Sequence, residues 1–434
     1  MAEQAREYYR RLVDLAMEAG QIMMSAGAET HRVEDTIMHM LSMSEFSHKD
    51  AFVLRTGITI TLSDPRYKTI SITRRVYSGP PHLSKIRDVN DISREFCAGL
   101  INIEQAEKKI AMAAKTTLYS PRMVFLSHIL ATSGFAYVFG GGFLEALVAC
   151  FVGLFLGFYN VYIAKHIRKA FLGDLLAAAI VVVSSVGFSY FLINVGVGIE
   201  CQYIIAGSQM PLVPGTAFTG AIRDILAGDY VSGTARIVEA LIIAASVALG
   251  VAFGFVLTGF FGFDLAVEFT LEGIHSLDSH AFFAVIFTFT AIIGFCSVFS
   301  CPYKFVIICS LCASLCWAVY LSCISMGLSS VWASFYGAVF IDVSSQVLAR
   351  KLKAPVIIFL VIGVLPLVPG YGIYKVAYDM FTGGDVSASL TNALLLAGAV
   401  ALAVIVADTV IDLWVRIYRR IKDGTFFSVF KKDD

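Results

Sequence analysis

Pro211-Leu212-Val213-Pro214-Gly215 occurs twice in this chain: the same five residues return as Pro366-Leu367-Val368-Pro369-Gly370, 155 positions on (366 minus 211). At that offset Asp224 matches Asp379, Gly228 matches Gly383, and Val231-Ser232 matches Val386-Ser387. Each copy lies in an apolar stretch of bilayer length, about 203–222 and 356–374. Proline lacks an N–H and clashes with the carbonyl one turn back, so two prolines and a glycine break a helical hydrogen-bond ladder. In lipid the freed carbonyls meet no water, and such a break must be buried in protein or line a wet cavity. A proline kink accounts for one copy but not for two identical ones in register. Paired breaks at matching positions of two inverted halves mark a transporter site.

Working outward from the two copies, apolar stretches recur at about 124–139, 143–163, 175–193 and 231–255 around the first, and 282–299, 305–324, 331–348 and 388–414 around the second. That makes ten spans, five to a half. An odd number per half requires the halves to insert with opposite orientation, so the expected architecture is a 5+5 inverted repeat with broken fourth and ninth helices. Basic residues agree with the positive-inside rule for cytoplasmic termini. Lys165, His166, Arg168 and Lys169 follow the second span, Arg350, Lys351 and Lys353 the eighth, and Arg416, Arg419, Arg420 and Lys422 the tenth. The loop expected outside carries Asp264, Glu268, Glu272 and Asp278 with no Lys or Arg.

Composition fits that reading. Of 434 residues, 57% are hydrophobic and 15% charged, too apolar for a soluble fold of this length. Formal net charge is zero, which gives no case for a nucleic-acid partner. Roughly half of the charged residues precede Arg122, setting off a polar first segment. There, helical spacing (Tyr8, Leu12, Met17, Ile22; then Val33, Ile37, Leu41) gives two helices, with Thr30 expected as the cap of the second. Ile58, Ile60 and Leu62 alternate with threonines and, after a turn at Asp64-Pro65, Thr69 to Thr73 alternate again, so a hairpin is expected. Two amphipathic helices close the segment. The expected domains are 1–118, a small cytoplasmic α+β domain; 119–260, the first five-helix repeat; 261–280, an acidic external linker; 281–415, the second repeat; and 416–434, a basic cytoplasmic tail.

Polar residues at membrane depth are the further candidates. Asp342 in the eighth span is the strongest, for proton coupling or for a substrate cation, and Asp408 lies in the tenth. Arg236 and Glu239, one turn apart in the fifth, are expected to pair with each other. Asn160 lies in the second span, and His128 in the first reads as an interior histidine with partners. Thr216 and Tyr371 open the half-helices after the breaks, whose free N–H groups and positive dipole end suit a carboxylate. Cys309, Cys312 and Cys316 resemble a metal string, but no carboxylate or imidazole accompanies them, so they read as small residues in a helix seam. No cofactor or metal is expected, and no hydrolase or phosphate-loop motif is present. An intramembrane aspartyl protease using Asp342 and Asp408 would lack the Gly-x-Gly-Asp signature; a ligand-sensing channel is the other competing class.

Gly27-Ala28-Glu29-Thr30 followed by Arg32-Val33-Glu34, ahead of five spans with Leu-Val-Pro-Gly, resembles the threonine/serine exporter family. The second half is similar to a partner module that some bacteria encode separately, so the resemblance covers nearly the whole chain. It implies proton-driven export of threonine and serine across a bacterial inner membrane; two-subunit relatives imply dicarboxylate (succinate) export instead. It also points to Glu29, Thr30, Arg32, Glu34, Pro211, Pro214, Gly215, Asp224, Pro366, Pro369 and Gly370. The copies part after the motif, Tyr371 to Lys375 standing where the first has Thr216 to Gly220, so the half-sites are not chemically equivalent. The expected partners are a small zwitterionic or anionic metabolite, protons and the bilayer; a homo-oligomer is left open.

Overall fold

The computed structural model describes residues 2–226, 228–263, 279–368 and 370–422. The acidic stretch 264–278, Pro369 and residues 423–434 lie outside them, as do the side chains of Thr216, Tyr371, Arg416, Arg419, Arg420 and Lys422.

The polar first segment folds as α1 (Ala2–Ser25), α2 (Thr30–Leu41), β1 (His48–Leu54), β2 (Gly57–Asp64), β3 (Tyr67–Arg75), α3 (Leu83–Cys97) and α4 (Ile103–Lys115). The strands form one antiparallel sheet in the order β1-β2-β3. Strand alternation decides its faces: Ile58, Ile60 and Leu62 are fully buried. On the other face Thr59–Thr73, Thr61–Ser71 and Ser63–Thr69 join hydroxyls at 3.0–3.1 Å. α1 crosses close over this core because Gly20 has no side chain; a Cβ there would stand 2.7 Å from Ile37 Cδ1. The expected hairpin is present, and β1 is a third strand the sequence reading missed: His48 to Leu54 has no clean alternation and takes its register from β2. Thr30 is not the cap of α2. Glu29 holds that position with extended backbone and no side-chain capping bond, because its carboxylate is engaged by Arg223.

The rest of the chain is helical: α5 (Pro121–Val138), α6 (Phe143–Phe158, running on through a π turn at Tyr159–Ile163), α7 (Ala170–Asn194), α8 (Cys201–Gln209), α9 (Gly215–Leu226) and α10 (Tyr230–Phe260). Then come α11 (Ser279–Val298), α12 (Val306–Ser325), α13 (Ser330–Leu352), α14 (Val356–Gly363), α15 (Gly370–Thr382) and α16 (Val386–Lys422). Among the described residues seven helices are long and apolar enough to cross a membrane. Their outer faces expose Phe151, Phe155, Phe191, Leu241 and Val256, a surface suited to an apolar solvent. Both expected interruptions are real: α8 and α9 flank the first Pro-Leu-Val-Pro-Gly, and α14 and α15 the second.

Packing is reciprocal between the halves. α5 lies on α11, α9 on α16 and α10 on α15, while α7–α10 is matched by α13–α16. Small residues make the first contact close: a methyl group at Gly134 would sit 2.7 Å from the Phe287 carbonyl, and one at Gly294 2.5 Å from that of Ser127.

Backbone bonds tie the α+β unit to the bundle. The first two amides of α3, Leu83 and Ser84, donate to the Phe299 and Ser300 carbonyls at 3.0 Å, and the third, Lys85, to His82 Nδ1 at 3.3 Å. The helix start is thereby satisfied without water. Burial, with Lys85 next, lowers the His82 pKa below the ordinary histidine value.

Two outcomes follow from this packing. Gly294→Leu must overfill the α5–α11 seam, at roughly 1–3 kcal/mol or more, and should sharply lower the yield of monodisperse protein. Gly398→Leu, with nothing within 4 Å of the glycine, should leave it unchanged in size-exclusion chromatography. For His82 a depressed folded pKa means a contribution held above about pH 6.5 and lost as pH falls through the lower folded value. The thermal midpoint should therefore drop on mild acidification, and His82→Asn, which keeps a capping acceptor, should remove that part of the drop.

Candidate functional site

The two interruptions meet. A Cβ at Gly215 would lie 2.0 Å from Val368 Cγ1 and 3.7 Å from the Gly370 Cα, and one at Gly370 2.7 Å from Met210 Sδ and 3.8 Å from Val213 Cβ. Glycine at both positions makes room for the opposite segment: a Cβ at Gly215 would collide with Val368, and one at Gly370 would press on the end of Met210. Pro214 and Pro366 are buried at the contact and Pro211 partly so. The 9- and 12-residue pieces α8 and α9, and the 8- and 13-residue pieces α14 and α15, are each too short to cross a bilayer alone. Each pair reaches bilayer length only when its pieces are taken end to end, with a helix C-terminus and a helix N-terminus beside the break.

One ionic network lies where the bundle touches the α+β unit. Asp224, 3% exposed, is 3.3 Å from Arg236 Nη1, and Arg236 Nη2 donates to the Ala28 carbonyl at 3.4 Å. Arg223 pairs with Glu29, which His31 approaches to 3.4 Å and Arg32 to 4.0 Å. Arg55, from the turn between β1 and β2, reaches Glu239 at 3.2 Å. Burial is the main cause that lowers the Arg32 and Arg55 pKa values. The expected Arg236–Glu239 pair is therefore wrong: each has a partner from another element, because the helix turns Arg236 inward onto Asp224 and leaves Glu239 facing the sheet. A cavity of about 130 Å³ lies among Glu29, Arg55, Arg223, Arg236, Phe299 and Ile357.

A second polar group lies at the other end of the bundle. Lys375 Nζ is 3.0 Å and 3.2 Å from the Asp379 carboxylate oxygens, to which Ser389 also donates. They border a cavity of about 830 Å³ with Trp317, Tyr320, Pro366 and Asn392. Asp224 and Asp379, matched in the sequence, thus occupy corresponding places but draw their cations from different helices.

The remaining candidates divide. Asp342 is fully buried and accepts from Gln346 Nε2 at 3.2 Å; the same amide donates to Asp408, and Arg350 donates to Gln346 Oε1 at 3.2 Å. The two aspartates are bridged by an amide rather than facing each other as a catalytic dyad would. Asp342 Oδ1 has no hydrogen-bond partner among the described residues. His128 closes on itself: Nδ1 donates to the Val124 carbonyl at 2.8 Å and Nε2 accepts from Asn160 at 3.1 Å, as a neutral imidazole can. Glu34 accepts from the Val53 amide at 3.3 Å and joins α2 to β1, burial raising its pKa. Thr30 is buried beside Glu29. Among the described residues no His, Cys, Asp or Glu group could hold a metal. Arg55, Arg223, Trp317, Gln346 and Ser389 were missed. Arg223 adjoins a matched aspartate and Gln346 lies one turn beyond Asp342, so both carried a local signal; the other three are brought in by tertiary packing.

Interrupted helices meeting in an apolar bundle, with carboxylates buried against cations, define a polytopic helical membrane protein of the transporter class. Two family models cover most of the chain: "Putative threonine/serine exporter" (ThrE) matches residues 14–258, and "Threonine/Serine exporter, ThrE" matches 284–410. The chain belongs to the threonine/serine exporter family. It is 23% identical over 428 residues to the "Threonine/serine exporter" of Corynebacterium glutamicum, covering 97% of this chain and 85% of that protein. Against the "Probable threonine/serine exporter" of Mycobacterium tuberculosis the identity is 20% over 401 residues, 91% of this chain and 74% of the relative. "Pheromone-regulated membrane protein 10" of Pichia sorbitophila is 24% identical over 240 residues, 55% of this chain and 24% of that one. No solved structure matches.

The Arg55–Glu239 pair can be weighed by a double-mutant cycle. Arg55→Glu and Glu239→Arg should each lower the thermal midpoint, and the double exchange should recover part of the loss, with a coupling of about 1 kcal/mol for a half-buried pair.

Proposed function

We propose that this protein exports small neutral amino acids, threonine and serine, from a bacterial cytoplasm by alternating access driven by protons. In this reading 119–260 and 281–415 are five-helix repeats of opposite orientation in the inner membrane, 1–118 and the C-terminal tail face the cytoplasm, and 261–280 is external. The observation that carries it is the contact of Gly215 and Gly370 with the opposite interruption. Reciprocal packing (α9 on α16, α10 on α15) supports a two-fold relation between the halves, since exchanging them reproduces the same neighbours. The names of the exporter relatives support the substrate class.

The mechanism follows from the chemistry of the break. First-turn amides of α9 and α15 have no intrahelical acceptor and sit at the positive end of a helix dipole, a seat for a substrate carboxylate. Asp342, buried with one oxygen unpartnered, is the residue to take up a proton, and Gln346 relays its state to Asp408. The small cavity beside the α+β unit and the large one opposite suit a state closed toward the cytoplasm and open outward.

Proteoliposomes holding the full chain and preloaded with threonine, serine or succinate, with and without an imposed pH gradient, test the reading. Threonine and serine efflux should accelerate with inward proton flow. Asp342→Asn should cut gradient-dependent efflux by roughly tenfold or more while the protein stays inserted. Succinate efflux alone, or efflux indifferent to both gradient and Asp342, would overturn it.

A further inference from the structure

The two matched aspartates are neutralised in different ways. Beside Asp224 the cation comes from the next helix as Arg236, and the position one turn before the aspartate is Gly220, where a Cβ would stand 2.9 Å from Arg236 Nη1. In the second copy that position is Lys375, and the counterpart of Arg236 is Thr391. The charge count is kept, but the cation moves onto the aspartate's own helix at i−4. Arg236 is also held by a backbone carbonyl of the α+β unit and is nearly buried. Among the described residues Lys375 bonds only to Asp379 and keeps a third of its side chain exposed, on the wall of the 830 Å³ cavity. Asp224–Arg236 is buried on both sides beside a small cavity; Lys375–Asp379 is open on its lysine side and borders a large one, with Asp379 itself only 6% exposed.

A second, independent observation lies on the same wall. Trp317, only 7% exposed and stacked on Tyr320 at 4.6 Å, holds its indole N–H without an acceptor among the described residues. Ser389 and Asn392, one turn apart on α16, add polar groups.

We infer that Lys375 and Asp379 form a recognition pair for a zwitterionic α-amino acid at the end of the bundle away from the α+β unit, with Trp317 beside them on the cavity wall; this rests on the exporter reading above. An α-amino acid lying antiparallel to the pair sets its carboxylate on the Lys375 ammonium and its ammonium on Asp379, so that each charge faces its opposite. A dicarboxylate would set one anion against Asp379, and like charges this close repel. The pair therefore selects zwitterions over diacids at the release side, and the buried pair at the other end does not.

The test uses the full chain in nanodiscs with Trp332→Phe and Trp414→Phe, leaving Trp317 as the only tryptophan. L-threonine should shift its emission saturably, while threonine methyl ester, the hydroxy acid lacking the amine, and succinate should act at least about tenfold more weakly. Lys375→Gln should raise the threonine midpoint by about tenfold or more, as should Lys375→Gln with Asp379→Asn, a neutral hydrogen-bonding pair that strands no charge if the single variant misfolds. An unchanged midpoint in both, or succinate acting as strongly as threonine, overturns the site. Threonine efflux by the unaltered chain is measured alongside: efflux present with titrations indifferent to Lys375 sinks this site alone. Absence of any threonine efflux sinks the exporter reading, while the titration still decides the site.

Discussion

The structure depends on the close approach of two broken helices. Each Pro-Leu-Val-Pro-Gly removes intrahelical hydrogen bonds, and in an apolar bundle the freed groups are tolerable only when protein covers them or they line a wet cavity. Here each break covers part of the other, Val368 lying over Gly215 and Met210 and Val213 over Gly370, while the second also borders the large cavity. A side chain at Gly215 would collide with Val368 and one at Gly370 would have to displace the end of Met210, so the proline that breaks the helix and the glycine that lets the partner in act as one unit. The neighbours of these pieces, α16 for α9 and α10 for α15, are placed by that contact.

Burying charge is the second constraint. Asp224 and Asp379 are both nearly inaccessible, and a buried carboxylate without a partner is too costly to keep ionised. The chain meets the need twice by different means, Arg236 crossing between helices and Lys375 reaching along one. The first solution leans on the α+β unit: Ala28 binds Arg236, Glu29 binds Arg223 and Arg55 binds Glu239. The amides of α3 on the turn after α11 fix the same unit from another side. The α+β unit thus completes the ionic network as well as adjoining it.

Helix positions, both interruptions and the buried aspartates were legible in the chain because they rest on local rules: apolar length, the missing N–H of proline, and the rarity of carboxylates in apolar runs. His128, read as a partnered interior residue, has its partners in Val124 and Asn160. The reading failed where a partner lay far along the chain. Arg236 and Glu239 were expected to pair because they are one turn apart, yet the helix faces them toward different neighbours. β1 escaped notice because its alternation is imperfect and its register comes from β2. Thr30 has the right chemistry for a cap, but the carboxylate before it was needed by Arg223.

The sequence alone determined a mostly apolar helical chain with a polar α+β start and two identical helix breaks, because periodicity, run length and proline act within a few residues of themselves. Tertiary structure alone decided that the breaks touch, which cation neutralises each matched aspartate, and that one pair borders a small cavity while the other borders a large one. Those outcomes depend on side chains far apart in sequence meeting across helices, and hydrogen bonds and ion pairs over such separations leave no local pattern to read.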